Sequence, residues 1–153
     1  MSRVLFVCLG NICRSPAAEG VFQAAVIQAG HPHETDSAGT SDWHIGNPPY
    51  GPMVECAAKR GIDLTDLRAR QFTPSDFDEF DLIIAMDRDN QSDMEALRPP
   101  GNTTPIALFL DYAPETGVAE VPDPYFTRDF DTALDLIQSA STGLLTNLKG
   151  PSK

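Results

Sequence analysis

At 153 residues the chain can build one full hydrophobic core and is too short for two ordinary domains, so residues 1–153 are expected to form a single domain. With 41% hydrophobic and 22% charged residues it reads as globular, and a formal charge of −11 excludes recruitment by nucleic acid or anionic lipid. The apolar start, Val4 to Leu9, is shorter than a secretory core or a membrane span, which places the protein in the cytoplasm.

Residues 3–8 (RVLFVC) form an apolar, β-branched run that stops at Gly10 and Asn11, as a buried strand entering a loop would. Ser15 is a suitable N-cap and Pro16 a suitable first helical residue. Ala18, Val21, Phe22, Ala25, Val26 and Ala29 then recur at helical spacing until Gly30. Residues 36–40 (DSAGT) are a short strand, 52–60 a helix closed by Gly61, 82–86 a continuous apolar strand and 87–97 a helix. Residues 105–110 (PIALFL) give the last strand. Phe130, Leu134, Ile137, Leu144, Leu145 and Leu148 mark a final helix running to Gly150 and Pro151.

Strands alternating with helices imply an α/β fold in three layers, a parallel sheet with helices on both faces. Ligands in such sheets bind beyond the carboxyl ends of the strands. The loop after the first strand and the Pro-rich stretch 111–128 are therefore the favoured places for chemistry.

The loop Cys8-Leu9-Gly10-Asn11-Ile12-Cys13-Arg14-Ser15 sets a cysteine at a strand end and a helix start a few residues later, with an arginine between them. Converging backbone N–H groups and the helix N-terminus make an anion site inside a negative molecule. Gly10 and Asn11 tolerate left-handed backbone, and Arg14 offers a planar fork for two phosphate oxygens. The same positive surroundings favour thiolate over thiol at Cys8, making it a nucleophile. Protonating a departing alkoxide or phenoxide needs an acid, and Asp123 stands out among the acidic residues because Pro122 and Pro124 restrict its backbone.

VCLGNICRSP resembles the start of the low-molecular-weight protein tyrosine phosphatases, and DSAGTSDWHIG (36–46), RARQF (68–72), FDLIIAMD (80–87) and DPYF (123–126) extend the likeness over most of the chain. The resemblance implies a four-stranded parallel, Rossmann-like sheet of the phosphotyrosine phosphatase I type. It implies that Cys8 is the nucleophile, Arg14 the phosphate clamp and Asp123 the acid. Ser15 would ease thiolate departure, Asn11 and Ser37 would shape the loop, Leu9 to Cys13 would line it, and Trp43 and Tyr125 would be aromatic walls. It also implies a disulfide between Cys8 and Cys13 on oxidation. One position departs: where many relatives have a histidine just before the RARQ stretch, this chain has Leu67, so any support the imidazole gives the loop is missing.

The expected substrate is a tyrosine-phosphorylated protein and the expected state a monomer or weak dimer. No cofactor is needed, and with Cys8, Cys13 and Cys56 the only cysteines, no metal is assigned. His31, His33 and His44 fall in polar loops and read as solvated. Two related enzymes are weighed: a thiol-dependent arsenate reductase needs cysteines beyond Cys56, and a phosphoarginine phosphatase has a smaller polar residue where Ile12 narrows the mouth. A non-catalytic phosphopeptide-binding module could use the same nest.

Overall fold

The computed structural model describes residues 2–30 and 33–149. His31 lies outside them, as do Gly150 and Pro151, where the sequence places the end of the last helix. Four strands, β1 (Arg3–Cys8), β2 (Glu34–Gly39), β3 (Leu82–Ala85) and β4 (Ile106–Leu108), form one parallel sheet in the order β2-β1-β3-β4. Among the described residues six α-helices accompany them: α1 (Arg14–Ala29), α2 (Gly51–Lys59), α3 (Asp76–Glu79), α4 (Arg88–Glu95), α5 (Pro124–Thr127) and α6 (Phe130–Lys149).

Alternation along β1 separates two cores. Val4 and Phe6 face α1, α2 and α6 among Val21, Phe22, Met53, Leu134 and Ile137. Leu5 and Val7 face α3 and α4 among Phe72, Phe77, Phe80 and Met94. β1 and β3 are therefore apolar on both faces, as a sheet covered twice requires, and each fully buried Leu, Ile or Phe contributes about 1.5–3 kcal/mol. Phe6 anchors the first core, its ring centroid 5.6 Å from that of Phe22 and 5.3 Å from that of Phe109.

Two strand ends differ from the sequence reading by two residues. β2 begins earlier, at the polar Glu34, where as the sheet's edge strand it pairs with β1 alone; only its end, at Gly39, gains a parallel bridge to Gln71. β4 ends at Leu108, and residues 109–112 turn into a 3-10 helix. Phe109 and Leu110 both enter the core on the α1 side, while Leu108 enters the opposite one. A strand sends successive side chains to opposite faces, so the chain has to turn there. Among the described residues no helix is long and apolar enough to cross a membrane.

β1 has β2 on one side and β3 on the other, so the connection after Cys8 leaves the sheet where its winding reverses. The candidate loop occupies that crevice.

Candidate active site

The loop between β1 and α1 is wound by contacts that pull its carbonyls outward. Cys8 O accepts from Thr40 N and Leu9 O from Ser41 N, each at 2.9 Å, and Ile12 O from Tyr50 N at 2.8 Å. A loop whose carbonyls turn to the scaffold presents its amide edge to the opposite side, which is the anion side. Asn11 takes the left-handed conformation at φ 57°, as its type allows. Gly10 does not, contrary to the sequence expectation. Its lack of a side chain leaves room, since a Cβ there would sit 3.1 Å from the His44 ring. Gly39, at the end of β2, is pressed closer still, and a Cβ would meet Leu9 O at 2.9 Å.

α1 starts at Arg14, two residues earlier than Ser15 as N-cap would require. The Ser15 hydroxyl does not cap the helix because it is used inside the loop. It lies 3.0 Å from Cys8 Sγ, which also receives the Asn11 backbone N–H at 3.3 Å. Asn11 Nδ2 donates to Ser15 Oγ at 2.8 Å and Ser37 Oγ at 3.0 Å, while Asn11 Oδ1 accepts from Arg70 N at 3.0 Å. Arg70 is held in turn by Asp36 and, through both terminal nitrogens, by Asp76. Asn11, Ser15 and Ser37 are thus brought together. Every polar atom of the Asn11 side chain is bonded without an imidazole, and Leu67 instead packs against the core on the α1 side.

Arg14 is 3% exposed and its fork is fixed from behind: one terminal nitrogen donates to Asp87 at 2.7 Å and to Val121 O at 3.0 Å. The other reaches Asp123 at 3.5 Å, and the buried Nε has no protein partner. Burial opposes the Arg14 charge, but Cys8, Asp87 and Asp123 outweigh it and raise its pKa above the ordinary arginine value. Asp123 caps α5 by accepting the Tyr125 N–H at 3.0 Å, so Pro122, Pro124 and this cap together set its direction. Cys13 and Cys8 are both free and buried. Burial, Cys8 and Asp123 push the Cys13 thiol up to about 12 against the pull of Arg14 and Arg128.

Cys8, Leu9, Gly10, Ile12, Cys13 and Asp123 line one cleft of about 250 Å³ with Trp43, His44, Tyr125 and Phe126. Trp43 is 68% exposed and stands at the rim rather than in the core. Tyr125 and Phe126 also line it, their rings packed edge to face at 5.4 Å. His44 is half-buried at the cleft, not simply solvated, and His33 accepts the Ser2 N–H. Cys56 lies apart on α2. Among the described residues no group of three or more His, Cys, Asp or Glu could hold a metal.

Two site residues escape the sequence reading. Asp87, an acid at the carboxyl end of β3 beside β1, reads as the start of a helix, and it does cap α4 while holding Arg14. Its place beyond a parallel strand next to the cysteine's strand is a usable signal. Phe126 follows Tyr125 directly on α5 and is 71% exposed at the cleft.

An anion loop at the winding reversal of a parallel sheet, closed on a thiol, a guanidinium and a carboxyl, is the arrangement of a cysteine-dependent phosphate-transferring enzyme. The family model for low molecular weight phosphotyrosine protein phosphatases matches residues 3–153, and the chain belongs to that family. It is 42% identical over 151 residues to the low molecular weight protein-tyrosine-phosphatase YfkJ of Bacillus subtilis, covering 97% of each chain. The crystal structure of YfkJ superposes with a TM-score of 0.94 at 41% identity, covering 100% of this chain and 98% of that one. A Drosophila arginine phosphatase structure gives a TM-score of 0.91 at 31% identity, with 99% and 100% covered.

Proposed function

We propose that the chain hydrolyses phosphotyrosine in protein substrates, and aryl phosphate monoesters generally, through a phosphate carried on Cys8. The observation that carries this reading is the Cys8 thiol bonded by Ser15 and the Asn11 N–H in a loop closed by Arg14, whose Nε has no protein partner. The Arg14 edge carrying that nitrogen suits the equatorial oxygens of a transferring phosphoryl group, and Asp87 keeps the fork in place.

In the first step the Cys8 thiolate attacks phosphorus, the S–P bond forms, the ester P–O bond breaks, and Asp123 gives its proton to the departing phenoxide. In the second, the Asp123 carboxylate takes a proton from water as its oxygen attacks phosphorus. The S–P bond breaks, inorganic phosphate leaves, and Ser15 supports the released thiolate. Leu9 to Cys13 supply the backbone cradle, and Trp43, Tyr125 and Phe126 border the ring. The three free thiols suit work in the reducing cytoplasm on phosphorylated proteins, with the chain acting as a monomer or weak dimer.

Phosphoarginine hydrolysis is the second reading, favoured by the likeness to an arginine phosphatase. Ile12 and the aromatic rim favour a ring over a guanidine. The ratio of phosphotyrosine to phosphoarginine turnover in the wild type decides between them. For the main reading, Cys8→Ser is expected to abolish release of phosphate from an aryl phosphate and to retain tyrosine-phosphorylated protein from an extract. Turnover by Cys8→Ser near the wild-type rate would sink it.

A further inference from the structure

A second groove lies behind the loop, between the outer face of α1 and residues 61–67. It holds about 260 Å³, is lined by Glu19, Gln23, Ile27, Ile62 and Leu67 among others, and shares no lining residue with the catalytic cleft. Its walls are mainly apolar, yet Glu19 sits among them. One Glu19 oxygen accepts the Ser37 hydroxyl at 2.7 Å. Glu19 is one helical turn beyond Ser15, on the same face of α1.

Donors and acceptors from Glu19 to Cys8 have one consistent order. A carboxylate only accepts, so the Ser37 proton points to Glu19 and the Ser37 oxygen is left to accept from Asn11 Nδ2. The second Nδ2 hydrogen goes to Ser15 Oγ, since Asn11 Oδ1 is taken by Arg70 N. Ser15 oxygen then accepts, and its own proton turns to Cys8 Sγ at 3.0 Å in preference to the more distant Ala38 O at 3.4 Å. Without an acceptor at position 19, the Ser37 hydroxyl has no fixed direction and can compete for Asn11.

We propose that Glu19 is a positioning residue for Cys8, acting through Ser37, Asn11 and Ser15 so that a hydroxyl proton faces the thiolate when it attacks and again when it leaves. This rests on Cys8 being the nucleophile. A purely structural tie would call for no acid here. Burial raises the Glu19 pKa, Asp36 adds to the rise, and the Ser37 hydrogen bond and Arg70 only partly offset them. A carboxyl raised in the folded state adds stability below its ordinary value and loses it as pH rises through the folded value, so at neutral pH its ionised form burdens the fold. An apolar side chain would also suit the company of Ile27, Ile62 and Leu67.

The test compares Glu19→Met, Glu19→Gln, Ser37→Ala and the double variant Glu19→Met with Ser37→Ala, with Gln23→Leu as a groove control. The probe is inactivation by iodoacetamide at pH 6, a neutral reagent that reads thiolate availability. Glu19→Met is expected to slow inactivation about three- to tenfold while melting at or above the wild-type temperature at pH 7.5. Glu19→Gln keeps an acceptor oxygen and is expected to stay within about twofold, as is Gln23→Leu. Ser37→Ala should match the loss in Glu19→Met, and the double variant should lose no more than either, because both break one chain. Wild-type inactivation of Glu19→Met, additive losses, or a melting temperature below the wild type would overturn the proposal. Turnover by Cys8→Ser would instead show that the nucleophile itself is misassigned.

Discussion

The floor and the rim of the cleft are built from opposite materials. At the floor Cys8, Asn11, Arg14 and Ser15 are all buried, and apart from the Arg14 Nε their polar side-chain atoms are bonded to one another or to Asp87, Val121, Asp123, Ser37 and Arg70, while the carbonyls of Cys8, Leu9 and Ile12 are held by Thr40, Ser41 and Tyr50. At the rim Trp43 and Phe126 are more than half exposed and offer apolar area. Hydrogen bonds in a dry site fix one geometry, because any displaced partner is left unsatisfied at a cost of about 1–3 kcal/mol. Apolar contacts at an open rim impose no direction. Chemistry is therefore specified by the floor, while the rim can change its preferred substrate without disturbing the reaction.

The largest expected effect is at the floor. Arg14→Ala should lower kcat/KM for an aryl phosphate by about a thousandfold or more, as measured in steady state, because clamp and nucleophile act as one unit. A loss below about tenfold would erase the distinction between floor and rim. Asp123→Ala, at the boundary, should slow substrates with poor leaving groups by about a hundredfold or more and affect acidic leaving groups far less. An equal loss across a leaving-group series would remove Asp123 from the role of acid. The smallest effect belongs to the rim: Phe126→Ala should raise KM for phosphotyrosine peptides about threefold and leave kcat within about twofold. A collapse of kcat would mean that this ring supports the floor.

The parts legible in the sequence are those with a strong periodic or chemical signature. β1 and β3 show as unbroken apolar runs because both of their faces are buried, and α1 shows in its helical spacing up to Gly30, which ends it in left-handed conformation. The loop is legible because a cysteine and an arginine at that spacing fall between them. What was hidden lacks such a pattern. β2 opens on Glu34, Thr35 and Asp36, polar residues tolerated at a sheet edge. α5 is too short for periodicity and is set by the Asp123 cap. Asp87 looks like any helix cap until the sheet brings it to Arg14, and of Gly10 and Asn11 only Asn11 is left-handed, with its side chain bonded to Ser15, Ser37 and Arg70.

Cys13 carries a consequence for the life of the molecule under oxidants. Burial holds its thiol protonated, and the charge on Cys8 reinforces this, so during turnover it is chemically silent. Peroxide would convert the Cys8 thiolate to a sulfenic acid with release of hydroxide, and that change removes a negative neighbour from Cys13. Injury to the first sulfur thus primes the second: Cys13 can displace water from the sulfenic acid to give the disulfide that the family likeness implies. Wild-type protein inactivated by peroxide is expected to recover with added thiol and to yield a linked Cys8–Cys13 peptide, whereas Cys13→Ser recovers poorly; equal recovery of both would refute it. The cleft would then hold its own fuse, one that blows before the sulfur is burned beyond repair and can be reset by reduction.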